Sequence, residues 1–313
     1  MVTPAPFHED IADGPRGGRA VWITTGDAAR LRLVFWPQGE KGRVLILPGR
    51  SEYAEKYGPV ARALATHGYG AAIPDWRGQG LSDRLIADPR AGHIVHFSQY
   101  QNDLQATLDV VRELDGTPPT LMLAHSMGGA IGLRAMTSGL VMRAVAFSAP
   151  MWGIRISARA LPMAWGLSTA ASWLGRLGHR YIPGRGGPDN WLRAEIFNEN
   201  TLTGDRERFD WMIAQLGAHP ELGIGGATLG WLNAALRETA ALRRLPSPAV
   251  PAYVALGSEE RIVSDSAIRA RVARWPGAVL EEYPSARHEI MMERPHLRDR
   301  FLGHVAALFD AHV

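Results

Sequence analysis

A chain of 313 residues that is 46% hydrophobic and 21% charged has enough apolar material for a packed core, as one large domain or a domain with a sizeable insertion. Its 34 basic and 31 acidic residues nearly cancel to a net charge of +3, which is not the clustered basic face of a nucleic-acid binder, so no nucleic-acid partner is expected. Cysteine is absent, which excludes disulfides, thiolate metal sites and cysteine nucleophiles.

Residues 1–20 read as a flexible N-terminal segment, and Met1–Gly18 has no apolar run of the signal-peptide kind. A strand pair follows at Val21–Thr24 and Leu31–Trp36. From there short apolar runs alternate with helical spacing. Strands are expected at Val44–Leu47, Tyr69–Pro74, Leu121–Ala124 and Ala144–Ser148, with helices over Tyr57–His67, near Phe97–Leu114 and from Met127. That rhythm implies βαβ units and a mainly parallel sheet. Between Met151 and Leu245 it stops, and the chain is helical in character and rich in Trp, Gly and Arg. It resumes at Ala252–Leu256, a helix from Ser266, a strand at Val279–Tyr283 and a helix from about Pro295. The expected architecture is an α/β core over 21–150 and 246–313, with a helical cap over 151–245 above the C-terminal strand ends, where open α/β sheets bind ligands.

Ala124-His-Ser-Met-Gly-Gly129 follows a strand and opens a helix, the context in which a tight turn lifts a serine hydroxyl above the sheet edge. An ordinary helix-capping serine could occupy the same place. A serine hydroxyl needs a base in hydrogen-bond reach, and the chain order for this arrangement is serine, acid, histidine. Of the late histidines, His296 and His304 fall in a helical pattern and His312 at the end of the chain, whereas His288 lies in the loop after the last strand. Glu260, in the loop after Ala252–Leu256, takes the place of the acid, with Glu259 and Asp265 as competitors. Two backbone donors for an oxyanion are expected from Met127 and, next to Gly49, from Arg50. His93 and His96 could share a metal, but no third ligand is evident, so neither metal nor cofactor is expected.

With these motifs placed, the sequence resembles the bacterial lysophospholipase and monoacylglycerol-lipase branch of the α/β-hydrolase superfamily. The likeness rests on Pro48-Gly-Arg-Ser-Glu52 with Lys56-Tyr57, on Asp75-Trp-Arg-Gly-Gln-Gly-Leu-Ser82, on the elbow, and on Gly92-His93, Phe97 and Tyr100. In the cap it rests on Asn200-Thr-Leu-Thr203, Arg206, Arg208, Pro220, Gly225-Gly-Ala-Thr228 and Trp231. Ala124 where glycine is usual and Glu260 where aspartate is usual are departures. The resemblance implies an α/β-hydrolase fold and hydrolysis of an acyl ester in a lysophospholipid or similar lipid. It also implies that Glu52 lies near the alcohol part of the substrate. The Asp75–Ser82 loop is expected to brace the oxyanion loop through turns and an ion pair.

From Met151 to Pro188 there are five arginines (155, 159, 176, 180 and 185) and no acidic residue, interleaved with Trp152, Trp165 and Trp173. Such a segment suits an anionic lipid surface, although its tryptophans could equally face inward and line an acyl pocket, Trp152 first among them. No run reaches the roughly 20 apolar residues of a spanning helix. The expected location is cytoplasmic, with possible contact at the inner membrane face. Monoacylglycerol lipase and general carboxylesterase are the nearest alternatives, followed by acyltransferase, aminopeptidase and a non-catalytic ligand receptor.

Overall fold

The computed structural model describes residues 2–37, 39–184, 187–189 and 196–313. Among them, nine strands form one sheet: β1 (Thr3–Pro4), β2 (Arg19–Thr24), β3 (Arg30–Phe35), β4 (Arg43–Leu47), β5 (Gly70–Pro74), β6 (Leu121–His125), β7 (Ala144–Ser148), β8 (Ala252–Gly257) and β9 (Ala278–Tyr283). Their order is β1-β2-β3-β5-β4-β6-β7-β8-β9. The first three strands and β5 pair antiparallel, and every pair from β5–β4 to β8–β9 is parallel. β4 and β6 are buried along their whole length, which is why they read as unbroken apolar runs rather than alternating ones.

Helices α2 (Gly58–Thr66), α3 (Ser98–Asp115), α4 (Met127–Thr137), α8 (Asp265–Val272) and α9 (Pro295–Asp310) flank the sheet. From β4 the chain moves to one side to form β5 and then returns to the other side to form β6. The C-terminal ends of β4 and β6 therefore border a topological switch point, where a crevice opens in α/β sheets. Pro48 follows one strand and Ser126 the other.

The residues between β7 and β8 contribute α5 (Leu161–Trp173), α6 (Arg206–Ala218) and α7 (Leu229–Leu242), and no strand among those described. Asp205 and Thr228 cap α6 and α7 by accepting from Arg208 N and Trp231 N. The cap is tied to α4 by Arg134 and Glu238 at 2.6 Å and held to itself by Asn233 donating to Thr169 Oγ1 at 2.8 Å.

The N-terminal segment, expected to be flexible, instead packs onto the molecule. β1 adds an edge strand to β2, and α1 (Glu9–Ala12) buries Ala12. Further contacts that a composition reading does not see hold it: His8 N–H donates to Glu55 Oε1 at 3.1 Å and Arg32 Nη1 donates to Pro6 O at 3.1 Å.

Glu55 belongs to a cluster of charges with no solvent exposure. Arg32 of β3 reaches Glu55 Oε2 at 2.6 Å and Asp75 Oδ2 at 2.7 Å. Asp75 also accepts from Ala54 N and Leu81 N, each at 2.9 Å, so one arginine fixes the loops after β4 and β5 together. The ion pair expected in the Asp75–Ser82 loop thus forms with Arg32, while Arg77 pairs with Asp27 and Asp103. Removing one partner of a fully buried ion cluster leaves the others uncompensated, at about 3–5 kcal/mol. Arg32→Met is accordingly expected to lower unfolding stability by about that amount in urea titrations; a loss under 1 kcal/mol would mean that the cluster does not brace the loops.

Candidate active site

Ser126 leaves β6 at φ 47° and ψ −117°, a conformation an L-residue adopts only when its surroundings impose it. Those surroundings are tight. A Cβ on Gly128 would overlap the Leu47 carbonyl oxygen, and one on Gly129 would collide with Pro150. Ala124, by contrast, is fully buried within β6, and its methyl is tolerated where glycine is usual. The turn is held by Ser126 N–H donating to Ser148 O at 3.1 Å and by Met151 N–H donating to Ser126 O at 2.8 Å.

His288 comes to Ser126 from the loop after β9. Its Nε2 lies 2.9 Å from Ser126 Oγ, and its Nδ1 lies 2.7 Å from Glu260 Oε2. Glu260 Oε1 accepts from the N–H groups of Ile262 (2.5 Å) and Val263 (3.0 Å), which fixes the carboxylate. The longer glutamate side chain is thereby folded back onto its own loop. The two competitors lie elsewhere: Glu259 faces Arg287 at 3.7 Å, and Asp265 starts α8, exposed, accepting from Ser266 N. His296 and His304 ride on α9, and His312 contacts Leu308 O at 2.8 Å.

Burial pulls the His288 imidazole toward neutrality, but the Glu260 carboxylate, with Glu289 and Glu52 behind it, outweighs burial and the net shift is upward from 6.5. Glu260 itself is held below the usual carboxylate range: burial opposes its charge, and the imidazole and the two backbone N–H groups more than offset that. His125, next to Ser126, stacks obliquely on His288 with centroids 4.8 Å apart. Its Nδ1 faces Ser148 O at 2.9 Å, and burial pushes its pKa down to about 4, so it stays uncharged.

Met127 opens α4, and Arg50 sits in the loop after β4; among the described residues neither backbone N–H has a protein acceptor. The Gly49 N–H does not compete, because it donates to Glu52 Oε2. The Arg50 guanidinium reaches Gly225 O in the cap at 2.8 Å and lies 5.3 Å from the Trp231 ring.

Glu52 is not placed as a headgroup contact. It is buried, and its carboxylate is committed to Lys56 Nζ (2.8 Å), to the Tyr57 hydroxyl (2.5 Å) and to Gly49 N. These contacts tie Glu52 to the loop after β4. Trp152, expected to line an acyl pocket, is buried. Its indole donates to Gly129 O at 3.1 Å and packs edge-on against Phe147, with Trp275 alongside. Glu52, His125 and Glu289 together resemble the donor set of a cation site, but the Lys56 ammonium already lies 2.8 Å from Glu52 and 2.7 Å from Glu289. His93 turns to Thr228 Oγ1 at 2.8 Å and His179, away from the exposed His96.

One contribution is invisible in the sequence. The loop carrying His288 is held by the cap: His288 N–H donates to Thr201 O (3.3 Å) and Glu289 N–H to Leu202 O (2.8 Å). Thr203 Oγ1 donates to Met292 O (2.7 Å), and Arg287 Nη1 donates to Asn200 O (2.9 Å) and Thr203 O (3.0 Å). Asn200–Thr203 was legible as a motif, but nothing in one chain reveals which loop such a turn will meet.

A serine, an imidazole and a carboxylate joined in line above the C-terminal edge of a mostly parallel sheet place the molecule in the α/β-hydrolase class. A family model described as serine aminopeptidase, S33, matches residues 38–295, and the chain belongs to that family. It is 32% identical over 301 residues to lysophospholipase L2 of Escherichia coli strain K12, across 93% of this chain and 87% of the relative. Among solved structures, it is similar to a soluble variant of monoglyceride lipase from Saccharomyces cerevisiae in complex with a substrate analog (TM-score 0.72, 20% identity, 93% and 94% of the two chains). A second similar structure is a monoacylglycerol lipase from Paleococcus ferrophilus (TM-score 0.68, 18% identity, 90% and 99%). At such identities these likenesses establish the fold.

The imidazole should titrate above 6.5, followed through its ring proton resonances. Glu260→Gln removes the charge that raises it, so the midpoint should then fall below that of the parent. A midpoint unmoved by the substitution would contradict the pairing.

Proposed function

We propose that the chain is a serine hydrolase that cleaves the acyl ester of a single-chain lipid, as a lysophospholipase, through an acyl-enzyme on Ser126. The supporting observation is the unbroken hydrogen-bonded line from Ser126 Oγ through His288 to Glu260, with both ring nitrogens engaged. Ser126 attacks the ester carbonyl while neutral His288 Nε2 takes its proton. Glu260 orients the ring and stabilises the imidazolium. The N–H groups of Arg50 and Met127 receive the oxyanion, each such donor being worth about 3 kcal/mol in the transition state. His288 then protonates the leaving alcohol, and water repeats the cycle on the acyl-enzyme. No step draws on a metal or cofactor.

The lipid class follows from the likeness to lysophospholipase L2. The similarity to two monoacylglycerol lipase structures favours monoacylglycerol as the second reading. Ser126→Ala should abolish labelling by a fluorophosphonate probe and lower kcat on the order of 10⁶-fold. Labelling that persists in this variant would place the nucleophile elsewhere. The parent enzyme should prefer long-chain lysophosphatidylcholine to p-nitrophenyl acetate; turnover confined to short acyl chains would defeat the lipid assignment.

We also propose that the cap rests on an anionic membrane surface. α5 and the turn after it expose Met163, Leu167, Trp173 (87%), Leu174 and Leu177, beside the exposed Arg159 and Arg176. Arginine and apolar bulk on one exposed surface suit an interfacial segment. No helix among the described residues is long and apolar enough to cross a membrane, so contact would be peripheral. Arg155 does not take part, because its guanidinium is bonded to Glu260 O, and Arg185 lies outside the described residues. In co-sedimentation with phosphatidylglycerol vesicles, Trp173→Ser combined with Arg159→Ser and Arg176→Ser should lower the bound fraction severalfold; unchanged binding would refute docking through this face.

A further inference from the structure

Four side chains that the reaction does not use converge where the N-terminal arm meets α6. His8 precedes α1 and Asp10 lies within it, whereas His219 ends α6 and Glu221 belongs to the short turn Pro220–Leu222. We propose that His8 Nε2, His219 Nδ1 and the Glu221 carboxylate bind a borderline divalent cation of the zinc class, with Asp10 orienting His219 from behind.

The spacing fits. Zinc takes nitrogen and oxygen ligands at about 2.0–2.1 Å in a tetrahedron, which sets neighbouring ligand atoms about 3.3 Å apart. Glu221 Oε1 lies 3.5 Å from His8 Nε2 and 3.2 Å from His219 Nδ1, and the three ligand atoms are all within 4.8 Å of one another. Water would complete the shell, as it does in three-ligand zinc sites.

The hydrogen bonding fits as well. His219 Nε2 lies 3.2 Å from Asp10 Oδ2 and its Nδ1 3.2 Å from Glu221 Oε1, so each ring nitrogen faces a carboxylate, and a cation at Nδ1 would take the place of the proton shared with Glu221. A ligating histidine ordinarily gives its other ring N–H to a carboxylate in this way. His8 Nε2 is buried and makes no hydrogen bond among the described residues. The two imidazoles stack with centroids 3.7 Å apart, and ligation would splay them. Imidazole with carboxylate favours zinc, nickel or copper over magnesium or calcium.

Such an ion would cross-link the N-terminal arm to the cap. The two are already joined by Gln215 Nε2 donating to Ile11 O at 2.7 Å, with Gln215 itself held by Tyr53 of the loop after β4, which donates to Gln215 Oε1 at 2.9 Å. Because the cation would bind only where both segments are in place, it would stabilise the folded form by mass action.

The test is calorimetric titration of the tag-free, full-length protein with zinc chloride, alongside the visible spectrum of its cobalt(II) form. One equivalent should bind and give the d–d absorption of a tetrahedral nitrogen–oxygen site; without cysteine no thiolate band can mask it. His8→Ala and His219→Ala should each weaken binding at least tenfold. Asp10→Asn should weaken it about 10- to 100-fold. His304→Ala, at a surface histidine–glutamate pair outside the cluster, should leave it unchanged. Should a histidine variant fold poorly, cobalt-induced shifts of the His8 and His219 ring protons in the parent protein give the same answer. Absence of stoichiometric binding, survival of binding in either histidine variant, or its loss in His304→Ala would overturn the proposal.

Discussion

The backbone at Ser126 is the constraint around which the molecule is arranged. A positive φ on a residue with a side chain costs about 1–3 kcal/mol, and it persists only where neighbours allow no alternative. Here β6 delivers the chain at full burial, α4 begins immediately, and Gly128 passes so close to Leu47 that no side chain fits. The strain lifts the hydroxyl off the sheet and turns the first N–H groups of α4 toward the crevice. Everything else in the candidate site is brought to this fixed point.

Two sets of buried charge do the bringing. Arg32 with Glu55 and Asp75 ties the loops after β4 and β5 to the antiparallel part of the sheet. Lys56, between Glu52 and Glu289, links the loop after β4 to the residue that follows His288. Glu52 is the hinge of this arrangement. Burial opposes its charge, but Lys56 and His125 nearby, with the donors around it, hold its pKa below the ordinary range. A carboxylate so engaged cannot greet a substrate headgroup without giving up the loop it holds. The cap adds a third restraint, since its Asn200–Thr203 turn supplies the acceptors for the backbone of the His288 loop. Cap and catalytic loop are therefore mechanically one piece at that point, whatever the outer cap helices do.

Much of this was legible in the sequence, and the reasons are physical. The parallel strands announce themselves because burial on both faces demands continuous apolar runs: Val44–Leu47 was expected where Arg43–Leu47 is observed, and Ala144–Ser148 was placed without error. Ser126 and His288 could be nominated because the turn's crowding leaves a glycine signature and chain order restricts the base. What stayed hidden depends on contacts between distant segments. The attachment of the N-terminal arm rests on contacts with distant segments: β1 pairs with β2, His8 N–H donates to Glu55 and Gln215 donates to Ile11 O. The inward role of Glu52 depends on Lys56 and Tyr57 folding back onto it. The bond from the Trp152 indole to the Gly129 carbonyl likewise depends on a residue 23 positions away in the chain.

The central claim is that acyl transfer passes through the Ser126 hydroxyl. It is tested most directly by rapid acid quench during turnover of a long-chain lysophospholipid, followed by peptide mass analysis. The account predicts a fatty-acyl adduct on Ser126 that forms and decays at rates matching turnover and accumulates when water attack is slowed. An adduct on another residue, or none at any time while fatty acid is released, would contradict it.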